Sequence, residues 1–85
     1  MTSYRVHWSA QTKRQLAGIW IAASDRNAVT RASHEIDKAL ARDPAGSGQK
    51  LAEGLWKIET TPLVVYYELD DANKLVQVIG CAYLP

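Results

Sequence analysis

The stretch Pro62-Leu63-Val64-Val65-Tyr66-Tyr67-Glu68-Leu69-Asp70 decides the fold of this 85-residue chain. β-Branched and aromatic residues fill it, Thr60-Thr61-Pro62 makes a turn before it, and Asp70-Asp71-Ala72-Asn73 makes a turn after it, which predicts a strand. Upstream, Trp56 and Ile58 alternate with Lys57 and Glu59, and Leu51 marks a short lead-in strand. Downstream, Leu75 to Cys81 reads as the last strand. Connections this short cannot cross over, so these strands form an antiparallel meander.

Before Ala45 the pattern is different. Tyr4, Val6 and Trp8 alternate with Arg5 and His7, as in a half-buried strand. Ser9 then stands at a helix N-cap, and Leu16, Ile19, Trp20 and Ala23 draw one helical face. Gly18 inside that face costs about 1 kcal/mol relative to Ala, which predicts a second helix packed closely against it. Ser24 and Asp25 cap that second helix, and Val29, Ala32, Ile36, Ala39 and Leu40 form its apolar stripe. Pro44 and Gly46 end it, and Gly46-Ser47-Gly48 reads as a flexible loop. The order is β-α-α-β-β-β(β), an α+β fold with an antiparallel sheet packed on an antiparallel helical hairpin. Residues 1–85 form one domain, because a chain of this length has room for a single core.

Hydrophobic residues are 47% and charged residues 22% of the chain, the balance of an ordinary globular domain and not of a disordered one. The longest apolar run, Leu16 to Ala23, is far shorter than the roughly 20 residues that cross a bilayer. With no apolar leader and one cysteine, Cys81, the expected location is the cytoplasm and no membrane partner is expected. The net charge is +1. Residues 1–43 hold seven Lys/Arg against four Asp/Glu and residues 44–85 three against five, an asymmetry too mild to mark a nucleic-acid footprint.

Strand alternation assigns a second face to the sheet. If Tyr4, Val6, Trp8, Trp56, Ile58, Leu63, Val65, Tyr67 and Leu69 face the helices, then Arg5, His7, Lys57, Glu59 and Glu68 face away, around an apolar centre of Leu55, Val64 and Tyr66. Such a face suggests an intermolecular contact. Tyr66 is its strongest single candidate for touching a partner or a base, whereas Trp8, Trp20 and Trp56 are expected in the core. His7 opposite Glu59 or Glu68 could make an acid–base pair, but a surface histidine is the simpler reading, and His34 is expected to be solvated. The two histidines and Cys81 show no metal-ligand spacing, so neither a metal nor a cofactor is expected. Gly46-Ser47-Gly48-Gln49-Lys50 has glycines before a lysine but lacks the spacing and the strand-to-helix context of a phosphate-binding loop. It reads as a connector, with Lys50 free to join Lys57 at a basic edge.

The element order, the helix end at Asp43-Pro44, the segment Leu55-Trp56-Lys57-Ile58 and the run from Pro62 to Asp70 together resemble the RelE/ParE family, from Tyr4 to about Ala82. That resemblance implies a toxin of a type II toxin–antitoxin module, of the plasmid-stabilising and growth-inhibiting kind, neutralised by a cognate antitoxin. RelE-like members cleave mRNA on the ribosome and ParE-like members inhibit DNA gyrase. RelE-like cleavage implies two lysines on the strand after the loop, an arginine on the next strand, and an arginine with an aromatic near the C-terminus. Lys57 matches the first lysine and is the one candidate catalytic residue. Glu59 stands at the second lysine and Val64 at the strand arginine, and the chain stops at Tyr83-Leu84-Pro85 without the last arginine. Losing those cations disfavours stabilisation of a phosphorane-like transition state. The expected activity is therefore binding of a target such as DNA gyrase. The rivals are a ribosome-dependent endoribonuclease with a degenerate site and a non-toxic relative that only binds its antitoxin. Arg5, His7, Lys50, Lys57, Val64 and Tyr66 are the expected partner- or RNA-binding residues.

Overall fold

The computed structural model describes residues 3–84. Its elements are β1 (Arg5–Trp8), α1 (Ala10–Ala22), α2 (Arg26–Arg42), α3 (Pro44–Ser47), β2 (Gln49–Ala52), β3 (Leu55–Thr60), β4 (Leu63–Asp70) and β5 (Leu75–Tyr83). The five strands make one sheet in the order β1-β5-β4-β3-β2. From β2 to β5 the neighbours are antiparallel, as the short turns require. β1 lies parallel to β5, a pairing that only the intervening helices allow.

α2 carries the core. Val29, Ala32, Ile36 and Leu40 are buried on one stripe and meet Ile58, Leu63, Val65, Tyr67, Val76 and Val78 from the sheet. Each fully buried aliphatic of this kind contributes roughly 1.5 to 3 kcal/mol relative to an exposed one. The Asp25 carboxylate accepts from the Ala28 amide at 3.0 Å, fixing where α2 begins. The helices fold back on each other: Trp20 reaches Thr30, while Lys13, Leu16 and Ala17 share a groove with Val29 and Ser33.

Three expectations need correction here. Trp20 is 42% exposed and outside the core. Its indole N–H donates to Thr30 Oγ1 at 3.2 Å and the Arg26 guanidinium lies 4.9 Å from its ring. Arg26 also donates to the Trp20 and Ile21 carbonyls, supplying donors that the last turn of α1 lacks, so the pair belongs to the helix junction. Gly18 has no neighbour within 4 Å of where a Cβ would stand, so it does not admit α2. It faces a groove beside the end of β5. Finally, Pro44–Ser47 is a single helical turn and not a loop: Asp43 accepts from the Gly46 amide at 3.0 Å, and Pro44 opens the turn.

Local bonds set the register. The Ser9 hydroxyl accepts from the Thr12 amide, and buried Thr12 donates through Oγ1 to the Val78 carbonyl at 3.2 Å, pinning the start of α1 on β5. The Tyr4 hydroxyl donates to Asp71, and the Tyr4 amide to the Ala41 carbonyl at 2.8 Å, so the first strand is tied both to the β4–β5 turn and to α2. Tyr67 donates to the Pro44 carbonyl, joining the centre of the sheet to the end of the helical layer.

Candidate functional site

The helices cover one face of the sheet, and the rows across the other can be read from the register. Gln49, Lys57, Tyr66 and Gly80 stand abreast on β2, β3, β4 and β5. One row along are Glu59, Val64 and Ala82, and on the other side are Leu55, Glu68, Gln77 and His7. Arg5 lies beside Leu75 at the β1 end. The expected face exists, and it includes Leu75, Gln77 and Gly80 of β5, which the sequence reading did not name. The alternation of Val76 and Val78 against Leu75 and Gln77 was the available signal.

The centre of this face carries one ion pair. Lys57 Nζ lies 2.9 Å from Glu59 Oε2, two residues along the same strand and so on the same face. The hydrogen bond to Glu59 and its charge hold the Lys57 ammonium above the usual lysine range, with a smaller contribution from neighbouring Tyr66. Glu68 adds a second anion in the adjacent row. Tyr66 is 36% exposed, with its ring offered between Lys57 and Gly80. A shallow depression lined by Arg5, Val6, His7, Leu75 and Gln77 borders this area on the β1 side.

Not every expected residue joins the site. His7 and Glu68 are separated by Gln77 on the intervening strand, about 10 Å at the ordinary strand spacing, and Glu59 lies in a different row. The acid–base pair is not assembled. Lys50 stands opposite Trp56, whose side chain faces the helices, so it shares the helix side and not the open face. There it pairs with Glu53 at 3.3 Å, and Gln49 takes the place beside Lys57. Lys50 and Lys57 therefore do not form a basic edge. Val64 is on the open face but only 3% exposed, so it is floor and not a freely presented contact. Among the described residues no group of His, Cys, Asp and Glu is placed to hold a metal ion, and no helix is long and apolar enough to cross a membrane.

No protein-family model and no curated protein sequence matches this chain. Solved structures do. The toxin–antitoxin complex RelBE2 from Mycobacterium tuberculosis superposes with a TM-score of 0.80 over 98% of this chain and 93% of that one, at 17% identity. The chain has the RelE/ParE toxin fold. The chromosomal ParDE system from P. aeruginosa gives a TM-score of 0.70 at 13% identity, covering 96% of this chain and 97% of that one. The isolated E. coli RelE toxin gives 0.67 at 12% identity, covering 96% and 85%. On the open sheet face Lys57 is the one central cation among the described residues, paired with Glu59.

Proposed function

We propose that this chain is the toxin of a type II toxin–antitoxin module, held inactive by a cognate antitoxin and arresting growth by binding a target such as DNA gyrase. The fold match supports the toxin reading. The Lys57–Glu59 pair supports binding over RNA cleavage. Cleaving RNA through its 2′-hydroxyl concentrates negative charge on a phosphorus centre, and unopposed cations aimed at that centre lower its energy. Here the central cation already has a carboxylate partner, Glu68 adds a repulsive charge, and Arg5 lies on the edge strand.

The rival reading, a ribosome-dependent endoribonuclease, draws support from Lys57 standing abreast of Tyr66, a cation beside a ring on which a base could stack. Induced expression in a bacterium separates the two. Growth arrest with loss of DNA supercoiling, relieved by co-expression of a cognate antitoxin, is the expected outcome. Arrest with mRNA cut on ribosomes would favour the nuclease, and no arrest would leave an inert antitoxin-binding relative.

A further inference from the structure

Two depressions on the open face share a floor. One, of about 470 Å³, is lined by Arg5, Val6, His7, Leu75 and Gln77. The other, of about 300 Å³, is lined by Glu53, Glu68 and Asp70 and again by Leu75 and Gln77, among others. The first half of β5 is thus a ridge with basic side chains on its β1 side and carboxylates on its β4 side. Arg5, His7, Glu68, Asp70 and Gln77 are exposed, and Leu75 is half-buried. Among the described residues Arg5, His7 and Glu68 enter no ion pair, and Asp70 accepts from the amide and the Nδ2 of Asn73 in its own turn.

The register makes this pattern complementary to itself. Arg5, Leu75 and Asp70 stand abreast in one row, and His7, Gln77 and Glu68 in the next row of the same face. A two-fold axis laid along β5, between two copies placed face to face, exchanges the β1 side with the β4 side and leaves each row at its own height. Arg5 of one copy then stands over Asp70 of the other, His7 over Glu68, Leu75 over Leu75 and Gln77 over Gln77, and each charged match occurs twice. Packed sheets lie about 10 Å apart, a gap that an arginine and an aspartate span together. Twist preserves the match, because rotation about an axis along a strand carries a twisted surface into one that follows it at constant separation.

We propose that a second copy of this chain docks here, open face to open face, in a homodimer symmetric about β5. The inference goes beyond the target reading above and does not depend on it. A nucleic acid fits this part of the face less well, since Glu68 and Asp70 repel its phosphates beside the groups that attract them. Three strands by two rows make a small seat, so the dimer is weak and fills only at high chain concentration. Lys57, two strands from the axis, falls outside the seat. Arg5, His7 and Glu68 are covered in the pair, so a target that uses them competes with the second copy.

The test is sedimentation velocity of the purified full chain at rising concentration and at low and high salt. The expected result is a monomer that passes into a dimer as concentration rises, and less readily in high salt. His7→Glu sets carboxylate against carboxylate across the axis, and Glu68→Lys removes the acidic half of the match. Each alone is expected to weaken the dimer by about tenfold or more, as is Arg5→Glu in the other row. His7→Glu combined with Glu68→Lys restores opposite charges and is expected to bring the dimer back to within about threefold of the parent. These positions are exposed, so the melting temperature should hold in every variant. On the parent chain alone, NMR should show the Leu75 and Gln77 amides shifting with concentration while Lys13 and Arg14 on α1 stay still. A chain that remains monomeric, a dimer that the single reversals leave intact, a loss that the double substitution does not restore, or concentration-dependent shifts confined to other elements each overturns the proposal.

Discussion

Lys57 and Glu59 close an ion pair of 2.9 Å on the open face of β3, and the pair sets the character of that face. Alternation puts residues two apart on the same side of a strand, so a carboxylate at 59 reaches the cation at 57 directly along the strand. Replacing Glu59 by Gln is expected to bring the Lys57 ammonium down toward its ordinary value of 10.5 and to change folding stability by less than about 1 kcal/mol, as partly exposed pairs do. Side-chain titration by NMR checks the first and urea unfolding the second; an unmoved Lys57 would mean that Glu59 is not its partner in solution.

Tyr66 is the exposed member of the same row. Truncating it to Ala is expected to weaken target binding by roughly 2 kcal/mol, as interface aromatics do, with unfolding little changed. Val64→Glu behaves differently, because a carboxylate at a position 3% exposed is buried without a partner. Its expected effect is a loss of folding stability of about 2 kcal/mol or more, so it does not report binding alone. Calorimetric titration with gyrase, alongside urea unfolding of both variants, distinguishes the two; equal stability of Val64→Glu and the parent would contradict the buried floor.

The Tyr67 hydroxyl donates to the Pro44 carbonyl in a buried setting, and a Cβ on Gly48 would fall on that hydroxyl and 2.8 Å from the Lys57 carbonyl. Tyr67→Phe is expected to cost about 1 to 2 kcal/mol through the lost bond. Gly48→Ala is expected to cost at least as much, because backbone on one side and a held ring on the other leave the methyl nowhere to go. Made together, the two substitutions should cost less than their sum, since removing the hydroxyl makes room for the methyl. Strict additivity in urea unfolding would rule out the shared contact.

Stability should fall on the alkaline side. Burial, with a smaller push from Asp43, raises the Tyr67 hydroxyl from 10.0 to about 12, and burial raises the Cys81 thiol from 9.0 to about 11. Both groups stay neutral in the native state after the unfolded chain has begun to lose its protons, so unfolding gains from each rise in pH across those windows. The urea midpoint is expected to hold up to about pH 9 and then decline through pH 11, with Cys81→Ala delaying the onset. A flat midpoint through pH 11 would contradict the burial of both groups.

Much of this architecture was written in short-range pattern. The Ser9 and Asp25 caps, the α2 stripe and the alternation in Leu63 to Leu69 each follow from the residues themselves. What the sequence concealed depends on neighbours distant along the chain. The parallel pairing of β1 with β5 has no local signature, and it inserts Gln77 between His7 and Glu68. Sequence order alone makes Lys50 a companion to Lys57, but the β2 register gives that place to Gln49. Trp20 sat on an apolar helical face, yet its indole N–H and the carbonyls around it needed polar partners that only the helix junction provides. Val64 alternated outward as expected, while its depth depends on side chains from both adjoining strands.

Mapping of ribosome-bound mRNA ends during induced expression, with the parent chain and with Lys57→Ala side by side, bears most directly on the mode of action. The expected result is growth arrest of equal depth in both, with no new mRNA ends. Cut messages from the parent that disappear with Lys57→Ala, along with the arrest, would contradict a toxin that works by binding alone.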